Sequence, residues 1–299
     1  MWLAAGGCSP DAWQALAGTA LELKLETRRP ASRRYVPLAA RFRALSLGLL
    51  QEQLGPDEQA ENELIEVELG IRRAPERSLF LGYYTAHGID LAFSRFGTVA
   101  LLERLGYSDV RVVVDDVAEG DRMRMLGTHG GQEHVLVEVV ELRKRVAGED
   151  VLHVHGLALR RPAAAFSGQR PKLPGQDAPG LGLPREAGEF LDATARRLGL
   201  AGVAFHPAWF HTAWAARSRF RFEDDARQGR FVALCRDLQH LPLVEATHAV
   251  ADGRVRLDGA PYAREADVMV HWLDRPAEAA SPVVQKAAEL TRFAVQQTR

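Results

Sequence analysis

The chain has 299 residues, 46% hydrophobic and 26% charged, with 38 basic residues against 39 acidic ones. That balance leaves no basic footprint for a nucleic acid, and 7% aromatic content leaves little for base stacking. No apolar run reaches the ~20 residues of a membrane span, and two cysteines are too few for a disulfide framework; the expectation is a cytoplasmic protein with no membrane and no nucleic-acid partner.

The N-terminus, MWLAAGGCSP, lacks a basic start and a long apolar stretch, so it reads as a loose terminus rather than a signal. Ala12–Leu21 and Leu38–Leu54 carry helical apolar spacing, and Gly55-Pro56 stops the second. Residues 1–61 therefore read as an N-terminal helical extension. From Leu64 the period changes to two in LIEVELGI, a strand pattern. Ile89, Ala92, Phe93, Phe96, Val99, Ala100 and Leu102 then mark a helical stripe closed by Gly106.

Four strands follow at 109–115, 122–128, 134–145 and 151–160, joined by short turns in the manner of an antiparallel meander. Residues 162–180 are rich in Pro and Gly and read as a loop, long enough to point to function or disorder. The loop ends in PGLGLP, and Pro184 suits the first turn of a helix over 184–198. AGVAFHP (201–207) predicts a short buried strand, and 208–220 a helix. Two more helices, a hairpin over RVRLDGAPY and a terminal helix over 281–297 complete the chain.

The Gly-x-Gly entry to the 184–198 helix is a candidate anion site. First-turn N–H groups lack intrahelical partners, and the helix dipole adds partial positive charge. Taken alone such an entry is common and needs no ligand. Order along the chain adds weight, because meander, Gly loop, helix, strand, helix and the aromatic pair Phe220/Phe222 resemble the GNAT acetyltransferase superfamily over roughly 62–222. GLALRRP (156–162) is similar to that family's central strand, PGLGL to its pyrophosphate loop, and RRLGLAGVAFHPAWFHTAWAARSRFRF to its strand-helix close.

The resemblance implies an α+β fold with a GNAT-like mixed central sheet flanked by helices. It further implies an acyltransferase-like core at 62–222, with residues 223–299 as a C-terminal helical extension that either covers the acceptor side or makes a dimer contact. It implies acetyl-CoA or another acyl-CoA as cofactor and transfer of the acyl group to a small-molecule or protein amine. Gly180, Leu181, Gly182 and Leu183 would bind pyrophosphate, and the main chain at Leu159 would face the thioester. His211 would be the acid, since the helix offers no Tyr, and His155, Glu138 or Glu141 the base.

Two rivals stand beside this reading. Asp177, where the family carries Gln or Arg, and the missing Tyr favour a non-catalytic binding or scaffold protein on the same fold. His153 and His155, two apart on a strand and so on one side, suggest a zinc hydrolase completed by His206 or His211. YYTAHGID (83–90) is an acceptor-side candidate whose Thr85 and Asp90 equally suit a helix start.

Overall fold

The computed structural model describes residues 79–264, 266–275 and 281–296. The expected helices and strand before Phe80 lie outside the described residues. Within them the chain is a mixed α+β structure in which a mostly antiparallel sheet is flanked by helices.

Helix α1 (Ala86–Phe96) begins where the Thr85 hydroxyl accepts the Gly88 N–H at 2.9 Å, a side-chain cap on an otherwise orphaned donor. It buries Ile89, Ala92, Phe93 and Phe96, the i, i+3, i+4, i+7 stripe expected of a core-facing helix. The predicted single helix is broken at Gly97, whose φ of 79° ends α1 in a left-handed cap, and α2 (Thr98–Arg104) starts afresh.

Strands β1 (Ser108–Val117), β2 (Gly120–His129), β3 (Gln132–Val146) and β4 (Glu149–Leu159) form the predicted meander, each pair antiparallel. Met123, Met125, Val137 and Val139 alternate into the core, while Arg122, Arg124 and Glu138 share the other face with Asp115. Three register shifts interrupt the ladder, the first between Ser108 and Arg111 on β1. Leu136 is the extra residue between β2 and β3, and His155 the extra residue between β3 and β4. A bulge bends its strand and resets which side chains face inward.

A long connection leads to α3 (Pro184–Arg197), which starts at Pro184 as expected. β5 (Gly202–Phe205) then pairs with β4 in parallel, from Val151 opposite Gly202 to Val154 opposite Phe205. Helix α4 (Phe210–Ala216), β6 (Arg221–Phe222), α5 (Asp225–Asp237), α6 (Leu243–Ala251), β7 (Val255–Leu257), β8 (Ala260–Pro261), β9 (Met269–Trp272), α7 (Pro282–Leu290) and β10 (Phe293–Val295) follow.

The main sheet runs β1-β2-β3-β4-β5-β9-β6, and β10-β7-β8 form a small second sheet. β9 therefore enters the main sheet between β5 and β6, pairing antiparallel with both. The segment expected to be a helical extension after residue 222 thus supplies an interior strand, because Met269, Val270 and their neighbours are buried where two sheet edges need a partner.

Two main cores result. One lies between α1, α2, α3 and the meander, with Phe93 stacked on Phe190 at 5.4 Å between ring centroids. The other gathers α4, α5, α6, β7 and β10 around Phe231 and Leu234.

Candidate functional site

The long connection after β4 is pinned rather than loose. Arg160 and Gly180 form an isolated bridge, the Arg161 N–H donates to the Pro179 carbonyl at 2.7 Å, and the Leu181 N–H donates to the Leu159 carbonyl at 3.2 Å. Ala163 N–H donates to the Tyr107 hydroxyl, and Asp177 sits 3.3 Å from the Arg160 guanidinium, which offsets its charge. Residues 162–179 thus close on themselves as a compact loop.

These contacts revise the anion cradle expected around residue 181. The Leu181 amide is already bonded, and the Leu181 and Leu183 side chains are buried in the core. The Leu159 carbonyl is the acceptor of that bond, so it is not free to face a ligand. Gly180 stands exposed beside β4. Gly182 is exposed too, with nothing within 4 Å of a Cβ placed there. At the start of α3, Pro184 has no N–H and the buried Glu186 carboxyl accepts its own backbone N–H.

Between β5 and this loop, the edge of β4 is open. β5 covers it to Val154 and the loop covers it from Leu159. The Arg160 N–H bonds to Leu136 across β3, so by the alternation of an antiparallel ladder the Leu157 N–H and C=O point away from β3, into the gap. Leu157 itself is 44% exposed. The His155 bulge lies where the two strands part.

Of the sequence candidates, His155 is exposed at that bulge. His153 faces the other way from Val154 and is buried. Its Nε2 lies 3.0 Å from the Nδ1 of His206. Burial pushes His153 down to about 4, with the nearby Lys144 charge acting in the same direction, and burial lowers His206 also. His155 is the extra residue of the bulge, and it stands near enough to act on both His153 and His206, lowering each. Among the described residues no three His, Cys, Asp or Glu side chains are placed to hold a metal ion, so the hydrolase reading gains no third ligand there.

His211 sits on α4 in the second core, with the charges of Arg264 and His248 around it and burial pushing it down to about 4. The structure places it with that cluster rather than with the β4 gap. Phe210 beside it is a core residue, and Trp209 stands 38% exposed.

Glu138 lies on the outer face opposite Arg124, whereas Glu141, three residues on, is fully buried on the inner one. Glu141 lines a chamber of about 50 Å³ whose walls include Phe93, Phe190, Leu157, Thr98 and Glu186. Neither Glu141 carboxyl oxygen has a hydrogen-bond partner among the described residues. Burial, then the charge of Asp121 directly across on β2, pushes its carboxyl up to about 8. Asp121 accepts the Leu81 N–H at 3.0 Å, and burial raises it too. Tyr84, buried just before α1, is pushed up to about 12 by burial.

The phase of β3 carried a signal for Glu141. Val137 and Val139 point inward, and the next inward position is acidic. No family model matches this chain, and neither curated proteins nor solved structures offer a match to it.

Proposed function

We propose that the protein moves an acyl group from a coenzyme A thioester to an amine. The observation that carries this reading is the fork between β4 and β5. Two parallel strands pair over four residues and then part, leaving Leu157's main-chain N–H and C=O unpaired on the open edge. A thioester arm is an extended chain of amide groups, and a strand edge with unpaired donors and acceptors is its natural partner, as in strand addition to a sheet. The Leu157 amide polarises the thioester carbonyl. His155, exposed at the mouth of the fork, takes the proton from the attacking amine. The amine nitrogen forms its bond to the carbonyl carbon as the carbon–sulfur bond breaks and the thiolate leaves. The diphosphate lies against the remaining open amides at Gly182 and Leu183.

A second reading is a binding protein without catalysis. The Leu181 amide bonded to Leu159, and the Glu186 carboxyl at the start of α3, favour it because both compete with a diphosphate. Calorimetric titration with acetyl-CoA separates the two. Saturable binding below about 1 mM, lost in Gly182→Asp while circular dichroism is unchanged, supports transfer. Absence of binding by folded wild-type protein leaves the binding-protein reading.

A further inference from the structure

The chamber under β3 is apolar except at three points, and none of the three carries positive charge. Glu141 has no accessible surface, Glu186 is 6% exposed, and Thr98 is 4% exposed. The groups facing Glu141 from other elements are Asp121 on β2, Tyr84 before α1 and Glu186 on α3, all acids. The nearest basic influences act on these neighbours: Arg143 on Asp121 and Arg197 on Tyr84.

A fully buried carboxyl with both oxygens unpaired is costly unless something satisfies it. The volume of about 50 Å³ exceeds the ~10–15 Å³ that one water needs and falls short of the ~150 Å³ cavity that takes benzene. Leu157, lining the chamber and 44% exposed, marks its mouth.

We infer that this chamber is a binding site for a short-chain primary alkylammonium ion, with the ammonium on Glu141 and the alkyl group against Val137, Val139 and Leu183. The ligand supplies what the site lacks, a positive donor for two bare oxygens and a few apolar atoms for the walls. Glu186 and Thr98 stand within the same lining to take further N–H donors. Anions are disfavoured by the two carboxyls, and neutral alcohols satisfy only part of the demand.

The inference stands apart from the acyl-transfer reading, since it needs no coenzyme A. Loading the ion replaces a proton on Glu141. The alkylammonium keeps its three N–H protons, the carboxyl O–H breaks, and one proton passes to solvent. Affinity for the cation therefore rises with pH until the carboxyl is ionised.

The test is calorimetric titration of the full chain with ethylammonium chloride, ethanol and sodium acetate, each without coenzyme A. Ethylammonium is expected to saturate below about 10 mM and to bind at least tenfold more tightly than ethanol near pH 8.5. Its affinity should fall about tenfold near pH 7, where heats in buffers of different ionisation enthalpy report close to one proton released per ligand. Glu141→Gln should bring ethylammonium down to the level of ethanol. Ala187→Phe, which fills the chamber from α3, should abolish both. Lack of saturation by ethylammonium in folded wild-type protein overturns the inference. So does equal affinity for ethanol, preference for acetate, or binding without proton release near pH 7. The last readout uses wild-type protein, so it decides the matter even if a variant fails to fold.

Discussion

At the scale of single residues, the unusual group is a carboxyl that folding removes from water without giving it a donor. The Glu141 carboxyl titrates near about 8 in the folded chain, against the ~4.3 of a free glutamate. Between those values the folded protein holds a proton that the unfolded chain has released. Stability therefore falls as pH rises through this window, and levels off once both states are ionised. Glu141→Gln keeps the shape and removes the titration. Thermal unfolding is expected to show the variant more stable than wild type by about 1–3 kcal/mol near pH 8, with the difference shrinking toward pH 5. A variant equally destabilised at both pH values would mean that the glutamate makes a bond its amide cannot. The inward phase of this residue was legible in the strand pattern. Its isolation was not, because it depends on Asp121, Phe93, Glu186 and Phe190, which come from four other elements. In the same way the spacing of His153 and His155 was legible, while the bulge at His155 was not, because it depends on how β3 pairs with β4.

At the scale of elements, the meander and most helices after residue 79 were readable because their apolar periods of two and 3.6 are long and regular, but the helix expected over 281–297 stops at Leu290, and Phe293–Val295 pairs as a strand with Val255–Leu257. The exceptions are instructive. Gly97 splits one predicted helix because a left-handed residue ends the ladder there. β9 was missed because four residues carry too little pattern, and what makes MVHW a strand is the pair of edges that β5 and β6 offer it. The connection between β4 and α3 reads as a loop in sequence, yet it is held by contacts that only folding brings together. Lys172 accepts a hydrogen bond from His248, and Gly175 packs under the Trp209 ring. Gly175 has φ +77°, and a Cβ built there would collide with the indole nitrogen. Gly175→Ala should therefore destabilise the fold by about 1–3 kcal/mol in urea unfolding. It should also speed limited proteolysis within 162–180, with little change in cleavage elsewhere. Uniformly faster cleavage would show that the loop is not an independent clasp.

At the scale of the whole molecule, the two cores carry groups whose titrations pull in opposite directions. Glu141, in the first, erodes stability on the alkaline side. His153 in the main sheet and His211 in the second core are both held near about 4 by burial, below the ~6.5 of a free histidine. There the unfolded chain takes up protons that the folded chain refuses, so stability is complete above about pH 6.5 and is lost as pH falls toward 4. His206 is lowered and adds to that limb, while Asp90, Asp121 and Glu186 are raised and oppose it at its acid end. The limbs belong to different parts of the molecule and should separate under substitution. In urea unfolding across about pH 4.5–8.5, His211→Gln is expected to flatten the acid limb and leave the alkaline one. Glu141→Gln is expected to remove the fall in stability across about pH 4.5–8, flattening the alkaline limb and steepening the acid one, and the double variant to show both effects added, since distant sites add within about 0.5 kcal/mol. If His211→Gln altered the alkaline slope as well, the two cores would be coupled through β9 and β5, and the sheet would have to be treated as one cooperative unit.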